Sequence, residues 1–489
     1  LPENLKGFKV FKVIKVFKVL KPTFFMKMKD LLLSMIRSGQ PLTFGQQLRL
    51  TVILSVPSII AQLSAVVMEY IDAAMVGSLG AEASASIGLV ATTTWLFWGL
   101  VSSTSTGFAV QVAHCIGAGH NDEARSVVRQ ALVAAVSFSV IMAVVGCVVS
   151  GVLPVWLGGD SAVCPGATSY FRIFALSLPF LQLYSLAGGM LRCSGNMLVP
   201  GVMGGVMCML DVLFNALLIF PSRTMTVAGL TFGVPGAGLG VTGAALGTAL
   251  AEAVAMAVLM WYLLRRSPEL RLRDTVGSFR LTSGCLRKAM HIGLPMAGER
   301  VVLNCAQILT TIIVAPLGTA AIAANAFAIT AEALCYMPGY GIAEAATALV
   351  GQSIGAGRRR LTRSFARITV GTGMTVMTLM AVVMYVLAPQ MMAFFTPDDT
   401  VRSLGVTALR TEAFAEPMFA AAIVTYGVFV GAGDTLIPCC MNLLSIWAVR
   451  LTLAALLAPT MGLHGVWIAM CVELCFRGTI FLVRLGKKY

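Results

Sequence analysis

A phrase opening IGAG stands at 116–125 (IGAGHNDEAR) and returns at 354–363 (IGAGRRRLTR), 238 positions later. The same offset joins Pro57 to Pro295, Leu79-Gly80 to Leu317-Gly318 and Pro179 to Pro417. It also joins Gly195 and Pro200 to Gly433 and Pro438. Small residues match by chance, but one constant offset without gaps marks an internal duplication. Whatever the chain folds into is therefore built largely from one unit used twice.

The unit is membranous. The chain is 58% apolar and 11% charged, against about 25% charged in soluble domains. Runs such as 131–149 and 237–264 carry few charges or none, and a bilayer core of about 30 Å needs about 20 such residues per helix. The runs give six expected spans in the first half, near 48–72, 88–113, 126–150, 168–189, 197–220 and 237–264. Six more follow near 290–314, 320–350, 364–388, 406–430, 436–457 and 461–484. Turn chemistry breaks them, as in Gly158-Gly159-Asp160 and Thr396-Pro397-Asp398-Asp399. The expected fold is an all-α membrane protein of twelve transmembrane helices in two six-helix repeats. Its expected divisions are a basic tail (1–44), a first lobe (45–264), a basic link (265–289), a second lobe (290–485) and a short end (486–489).

The net charge of +14 sits where it sets topology. Arg265, Arg266, Arg271, Arg273, Arg280, Arg287 and Lys288 fill the link, and Arg358, Arg359, Arg360, Arg363 and Arg367 follow the eighth span. The opposite loops are nearly bare apart from Arg223 and Arg402. This bias puts both termini and the link in the cytoplasm of an inner-membrane protein in contact with anionic lipid. It leaves no role for nucleic acid. The 12 cysteines lack paired spacing and the 4 histidines make no ligand cluster, so neither disulfides nor a metal is expected. Near the start, Lys6, Lys9, Lys12, Lys15, Lys18 and Lys21 recur every third residue, which holds no lasting helix face. That stretch reads as a low-complexity tail, or as residues ahead of a start at Met26 or Met28.

Charges inside spans are costly and mark function by default. Glu69 and Asp72 lie three residues apart in the first span, so they share a helix face. Two close carboxylates tend to hold one proton between them, the behaviour a proton-coupled carrier needs; the plainer reading is hydration at the membrane surface. Asp211 and Asn215, four apart in the fifth span, offer a site for a proton, hydronium or sodium, or a structural hydrogen bond. The second half has Thr310 and Val449 where the first has Asp72 and Asp211. Its own acids are Glu299, Glu332, Glu344, Glu412, Glu416 and Glu473, with Glu299 four residues after Pro295 at an expected bend. Asp72, Glu69, Asp211, Asn215 and Glu299 are thus the expected coupling groups. Glu332, Glu344 and Arg450 are expected at a substrate cavity, where Arg450 most simply pairs with one of the acids.

The order and spacing of PSIIAQLSAVVMEYIDAAMVGSLG, VAHCIGAG with its echo VGQSIGAG, RCSGNMLVP and GAGDTLIP resemble the multidrug and toxic compound extrusion (MATE) family, bacterial type, over roughly 45–485. The resemblance implies two six-helix lobes around a V-shaped chamber. It also implies efflux of amphipathic organic cations in exchange for H⁺ or Na⁺, without enzymatic chemistry or a cofactor, by what we expect to be a monomer. Asp72 matches the family's coupling aspartate, and Asp211 and Asn215 match its fifth-span pair in reversed order. Glu299 matches an acid of some bacterial members, where other branches place theirs a turn later, at Leu303 here. The tenth-span aspartate of one branch has no match after Pro417, which favours H⁺ over Na⁺. The rival readings are a flippase for lipids or lipid-linked saccharides, which would want a basic cavity, and a membrane-embedded transferase, which would want acid clusters or a reactive His/Ser pair.

Overall fold

The protein is described by a computed structural model covering residues 22–227, 230–273 and 277–489; the lysine repeat lies outside the described residues. The first-half helices are α1 (Pro22–Arg37), α2 (Phe44–Gly77), α3 (Ala81–Gly117), α4 (Asn121–Val149), α5 (Cys164–Cys193), α6 (Leu198–Leu218) and α7 (Gly240–Arg265). An antiparallel pair, β1 (Pro221–Val227) and β2 (Leu230–Ala237), lies between α6 and α7. The second half has α8 (Ser283–Val314), α9 (Thr319–Gly355), α10 (Arg359–Phe395), α11 (Asp399–Glu412), α12 (Glu416–Gly431), α13 (Leu436–Leu444) and α14 (Thr452–Lys488).

Local chemistry fixes the ends of these helices. Thr43 and Gln46 form a reciprocal capping box at the start of α2, and Asp398 caps α11 through the amides of Thr400 and Val401. Left-handed glycines turn the chain at Gly80, Gly119 and Gly195, and again at Gly318, Gly357 and Gly433, each 238 residues on. A side chain in that conformation is strained, so these positions keep glycine.

Among the described residues ten helices are long and apolar enough to cross a bilayer, or eleven if α11 and α12, bent by 60°, make one span. That bend falls within the expected tenth span, 406–430. Pro417 explains it: the ring removes a backbone donor in the first turn of α12 and ends the preceding helix. The last run, Leu436–Lys488, has 53 residues; it contains a wider π-type turn at Ser445–Leu451 and a non-helical Gly462.

Two apolar cores form within the halves. One gathers Val112, Ala131, Leu186, Met190 and Leu259; the other gathers Ala328, Met384, Leu409 and Trp467. The outward faces of α4 and α10 are apolar as well. Ile141, Val144, Val145 and Val148 are exposed, and so are Leu379, Val382, Val383 and Val386 at the same offset. Exposed apolar surface repeated in this way fits lipid contact.

The halves meet where α2 packs on α9 and α3 packs on α8 and α9. The repeated IGAG phrase lies at this junction. A Cβ on Gly117 would stand 2.1 Å from the Gln352 carbonyl oxygen, and one on Gly355 would stand 2.1 Å from that of His114. His114 Nε2–H donates to the Gly431 carbonyl at 2.8 Å, while Gln352 donates to that of Cys193 at 2.8 Å. Each contact is the 238-residue counterpart of the other. We call this end of the bundle the base and the opposite end the rim.

Three boundaries differ from the sequence reading. Residues 22–37 of the expected tail form α1, whose Leu32, Leu33 and Ile36 are buried against Met197, Leu349 and Phe365. Arg37 pairs with Glu269 at 3.0 Å, and Arg358 donates to the Met35 carbonyl at 3.0 Å, so α1 lies across both halves at the base. Apolar residues spaced along one face explain the docking. The link is shorter than expected because Thr282 caps α8. At the end of the chain α14 continues to Lys488, which donates to Asp434 at 2.6 Å.

Candidate functional site

In the N-terminal half, Asn215 Nδ2 donates to Asp72 Oδ1 at 2.9 Å and to Asp211 Oδ2 at 3.0 Å. One amide thus joins an acid of α2 to an acid of α6. The i, i+4 spacing puts Asp211 and Asn215 on one face, and α6 turns that face inward, leaving both buried. Asp211 Oδ1 and Asn215 Oδ1 are buried without a hydrogen-bond partner among the described residues. When both carboxylates are charged they repel, so this arrangement calls for a proton or a small cation.

Glu69 makes no hydrogen bond in that group and reaches Asp72 only through space. It is exposed, and the carboxylate joined to Asp72 is Asp211. Among the described residues the Asn215 side chain of α6 bonds only to Asp72 and Asp211, although the i, i+3 spacing keeps Glu69 beside Asp72. Its neighbour Tyr70 donates to the Thr330 carbonyl, tying α2 to α9.

In the C-terminal half, Glu299 accepts from Tyr426 Oη at 2.7 Å and from Asn442 Nδ2 at 2.6 Å. Three helices, α8, α12 and α13, supply this buried site. Sequence reasoning found the acid and missed its donors, because neutral Tyr and Asn leave no mark on an apolar run. Glu344 lies on the boundary between the halves, held by Arg192 of α5 at 3.4 Å and by Gln62 of α2 at 3.3 Å.

Glu332, Glu412, Glu416 and Glu473 are buried together in the second half. Glu473 is satisfied by Ser445 at 2.5 Å and by Arg477 at 3.0 Å. The expected ion pair of Arg450 is not formed. Its guanidinium contacts Met470 Sδ at 2.7 Å and reaches Glu332 and Glu412 only through space. Arg450 lies in the π-type turn Ser445–Leu451.

At the base, Asp434 is held by Arg484 at 2.5 Å and Lys488 at 2.6 Å. Burial works against its charge, but the hydrogen bonds from Lys488 and Arg484 outweigh that and hold its carboxyl below the ordinary value.

The sequence profile of the MatE family matches residues 57–217 and again 295–456. The chain belongs to the MatE family. It is therefore a membrane transporter and not an enzyme. A Thermotoga maritima protein named "Probable multidrug resistance protein NorM" is 24% identical over 84% of this chain and 86% of its own length. A protein of the same name from Xanthomonas axonopodis is 25% identical over 91% of this chain and 94% of its own. Among solved structures, the Vibrio cholerae MATE transporter VcmN superposes with a TM-score of 0.82 at 20% identity, covering 91% of this chain and 97% of that one. A MOP superfamily transporter from Pyrococcus furiosus gives 0.81 at 19%, covering 90% and 96%. At such identities these structures speak for the fold of this MatE transporter alone.

Proposed function

We propose that this transporter is a multidrug exporter that moves amphipathic organic cations out of the cell in exchange for protons. The observation that carries the reading is the single Asn215 amide holding the carboxylates of Asp72 and Asp211 in a buried site. The relatives named as multidrug resistance proteins support the substrate class.

The architecture behind the reading is twelve spans in two six-helix repeats. The 53-residue run Leu436–Lys488 supports it: at 1.5 Å per residue it would extend about 80 Å, far beyond one crossing of about 30 Å. Gly462 supplies the break between two spans. The arginines after α9 and the lysines ending α14 lie at the base, which supports that end as the cytoplasmic one.

In the working cycle external protons enter from the rim and neutralise the Asp72–Asp211 pair. The attraction for a bound organic cation falls and the drug leaves. The halves then open at the base, the proton departs to the cytoplasm, and the recovered charge binds the next cation. One charge moving across 100 mV supplies about 2.3 kcal/mol.

The test uses proteoliposomes loaded with a pH dye, an imposed proton gradient and an ethidium-like cation, with and without Na⁺. Wild type should show drug-stimulated proton movement that Asp72→Asn abolishes while remaining folded. Drug movement that follows Na⁺ alone would replace the coupling ion, and proton flux retained in Asp72→Asn would remove that residue from the mechanism.

A further inference from the structure

The acid–amide site has a third wall, α7, which crosses α6 antiparallel on glycines. A Cβ at Gly243 would lie 2.4 Å from the Leu218 carbonyl oxygen, and one at Gly247 would lie 2.0 Å from Asn215 Oδ1. Small residues four apart permit this approach between membrane helices. The register that sets Gly247 against Asn215 continues by a turn in each helix. Asp211 therefore stands level with Ala251 and Glu252.

Glu252 is 8% exposed and Asp211 0%. The groups facing Glu252 are Asp211 of α6 and Ser177, Tyr170 and Tyr184 of α5; none of these is a cation. A carboxylate at this depth without a cationic partner is expensive to keep charged, and for packing alone a glutamine would serve. Below it, Tyr184 is within electrostatic reach of Arg192 and Glu344, the pair on the boundary between the halves. A polar descent thus runs from Asp72, late in α2, through Asp211 and past Glu252 to the base.

We infer that Glu252 is the inner proton acceptor of the N-terminal half, taking the proton that Asp211 releases and passing it toward the base. The inference rests on the proton-coupled reading above. In the transfer, the O–H bond of the protonated Asp211 carboxyl breaks as an O–H bond forms on the Glu252 carboxylate. Charge moves one helix inward and nothing is oxidised or reduced. Two orphaned oxygens, Asp211 Oδ1 and Asn215 Oδ1, remain on the donor side of this step.

The test compares Glu252→Gln and Glu252→Asp in proteoliposomes by drug-stimulated proton flux, its pH profile, and drug–drug counterflow without a proton gradient. Glu252→Gln should lower net proton flux by about tenfold or more while leaving counterflow near wild type. Glu252→Asp should restore flux with a displaced pH profile. Wild-type flux and profile in Glu252→Gln would overturn the inference. Equal loss of all three readouts in both variants would overturn it too, by making Glu252 a packing residue. Wild type and Asp72→Asn measured alongside separate the two ideas. If wild type shows no drug-stimulated proton flux, the proton-coupled reading fails and takes this inference with it; if wild type shows flux that Asp72→Asn loses and Glu252→Gln keeps, only Glu252 is withdrawn.

Discussion

Each half of the molecule hangs an acid of one helix on an amide of another. In the first half Asn215 of α6 holds Asp72 of α2; in the second Asn442 of α13 holds Glu299 of α8. The helices correspond at the 238-residue offset, but the residues do not. Glu299 corresponds to Ala61, eleven residues before Asp72, and Asn442 to Gly204, eleven before Asn215. Eleven residues are about three turns, or about 16 Å, so the pair keeps its face and moves toward the base. The junction glycines have not moved at all. A backbone contact that leaves no room for a Cβ is pinned to one position. A hydrogen-bonded pair needs only two adjoining helices, and it can be built at any turn along them.

The largest expected effect tests the pinned part. Gly117→Val and Gly355→Val should each destabilise the protein by about 3 kcal/mol, because the added atoms meet backbone that cannot withdraw. Thermal melts in detergent would check this, and tolerance of one substitution but not the other would end the equivalence of the two sides. Next are the displaced pairs. Asn215→Ala and Asn442→Ala each remove hydrogen bonds to a carboxylate, worth about 1.5–3 kcal/mol. Proton flux should fall by about tenfold or more in Asn215→Ala, whose amide holds two acids, and by less in Asn442→Ala. Equal losses would mean that the two depths do the same work.

Tyr426→Phe takes one of the two donors from Glu299 and should reduce flux by less than about tenfold. The smallest effect concerns the base. Asp434 corresponds to Asn196, which donates to Tyr262 at 3.1 Å and does not titrate. The Asp434 carboxyl is held low, so its contribution is present above the ordinary carboxylate range and is lost as pH falls through the depressed value. Lys488→Ala should move that loss to higher pH. Hydrogen exchange at the end of α14, followed against pH, would show it, with the Asn196–Tyr262 contact as the invariant control.

Much of this was legible in the sequence, for identifiable reasons. The duplication, the span positions and the pair Asp211 and Asn215 follow from a constant offset, apolar runs and i, i+4 spacing. Asp72 is marked as a charge inside a span, but its spacing pairs it with Glu69 rather than with the fifth-span pair. Pro417 announced a bend, though not its size. What escaped lacked a one-dimensional mark. Asn442 and Tyr426 are neutral; β1 and β2 lie between apolar runs; and what covers the apolar face of α1 depends on helices hundreds of residues away. Glu252 did carry a mark, a lone charge in ALAEAVAMAVLM, but its neighbours come from other helices.

The crossing at the base has a consequence for how such a chain can change. Position 114 meets position 431 while 352 meets 193, and Gly117 meets 352 while Gly355 meets 114. That is the isologous pattern of a two-fold dimer, in which one patch is its own partner. In a true dimer every substitution strikes both sides at once. Here the two sides share a chain but are encoded separately, so each is free to vary while the other holds the junction. His114 and Gln352 already use that freedom, since an imidazole and an amide close the same contact with different chemistry.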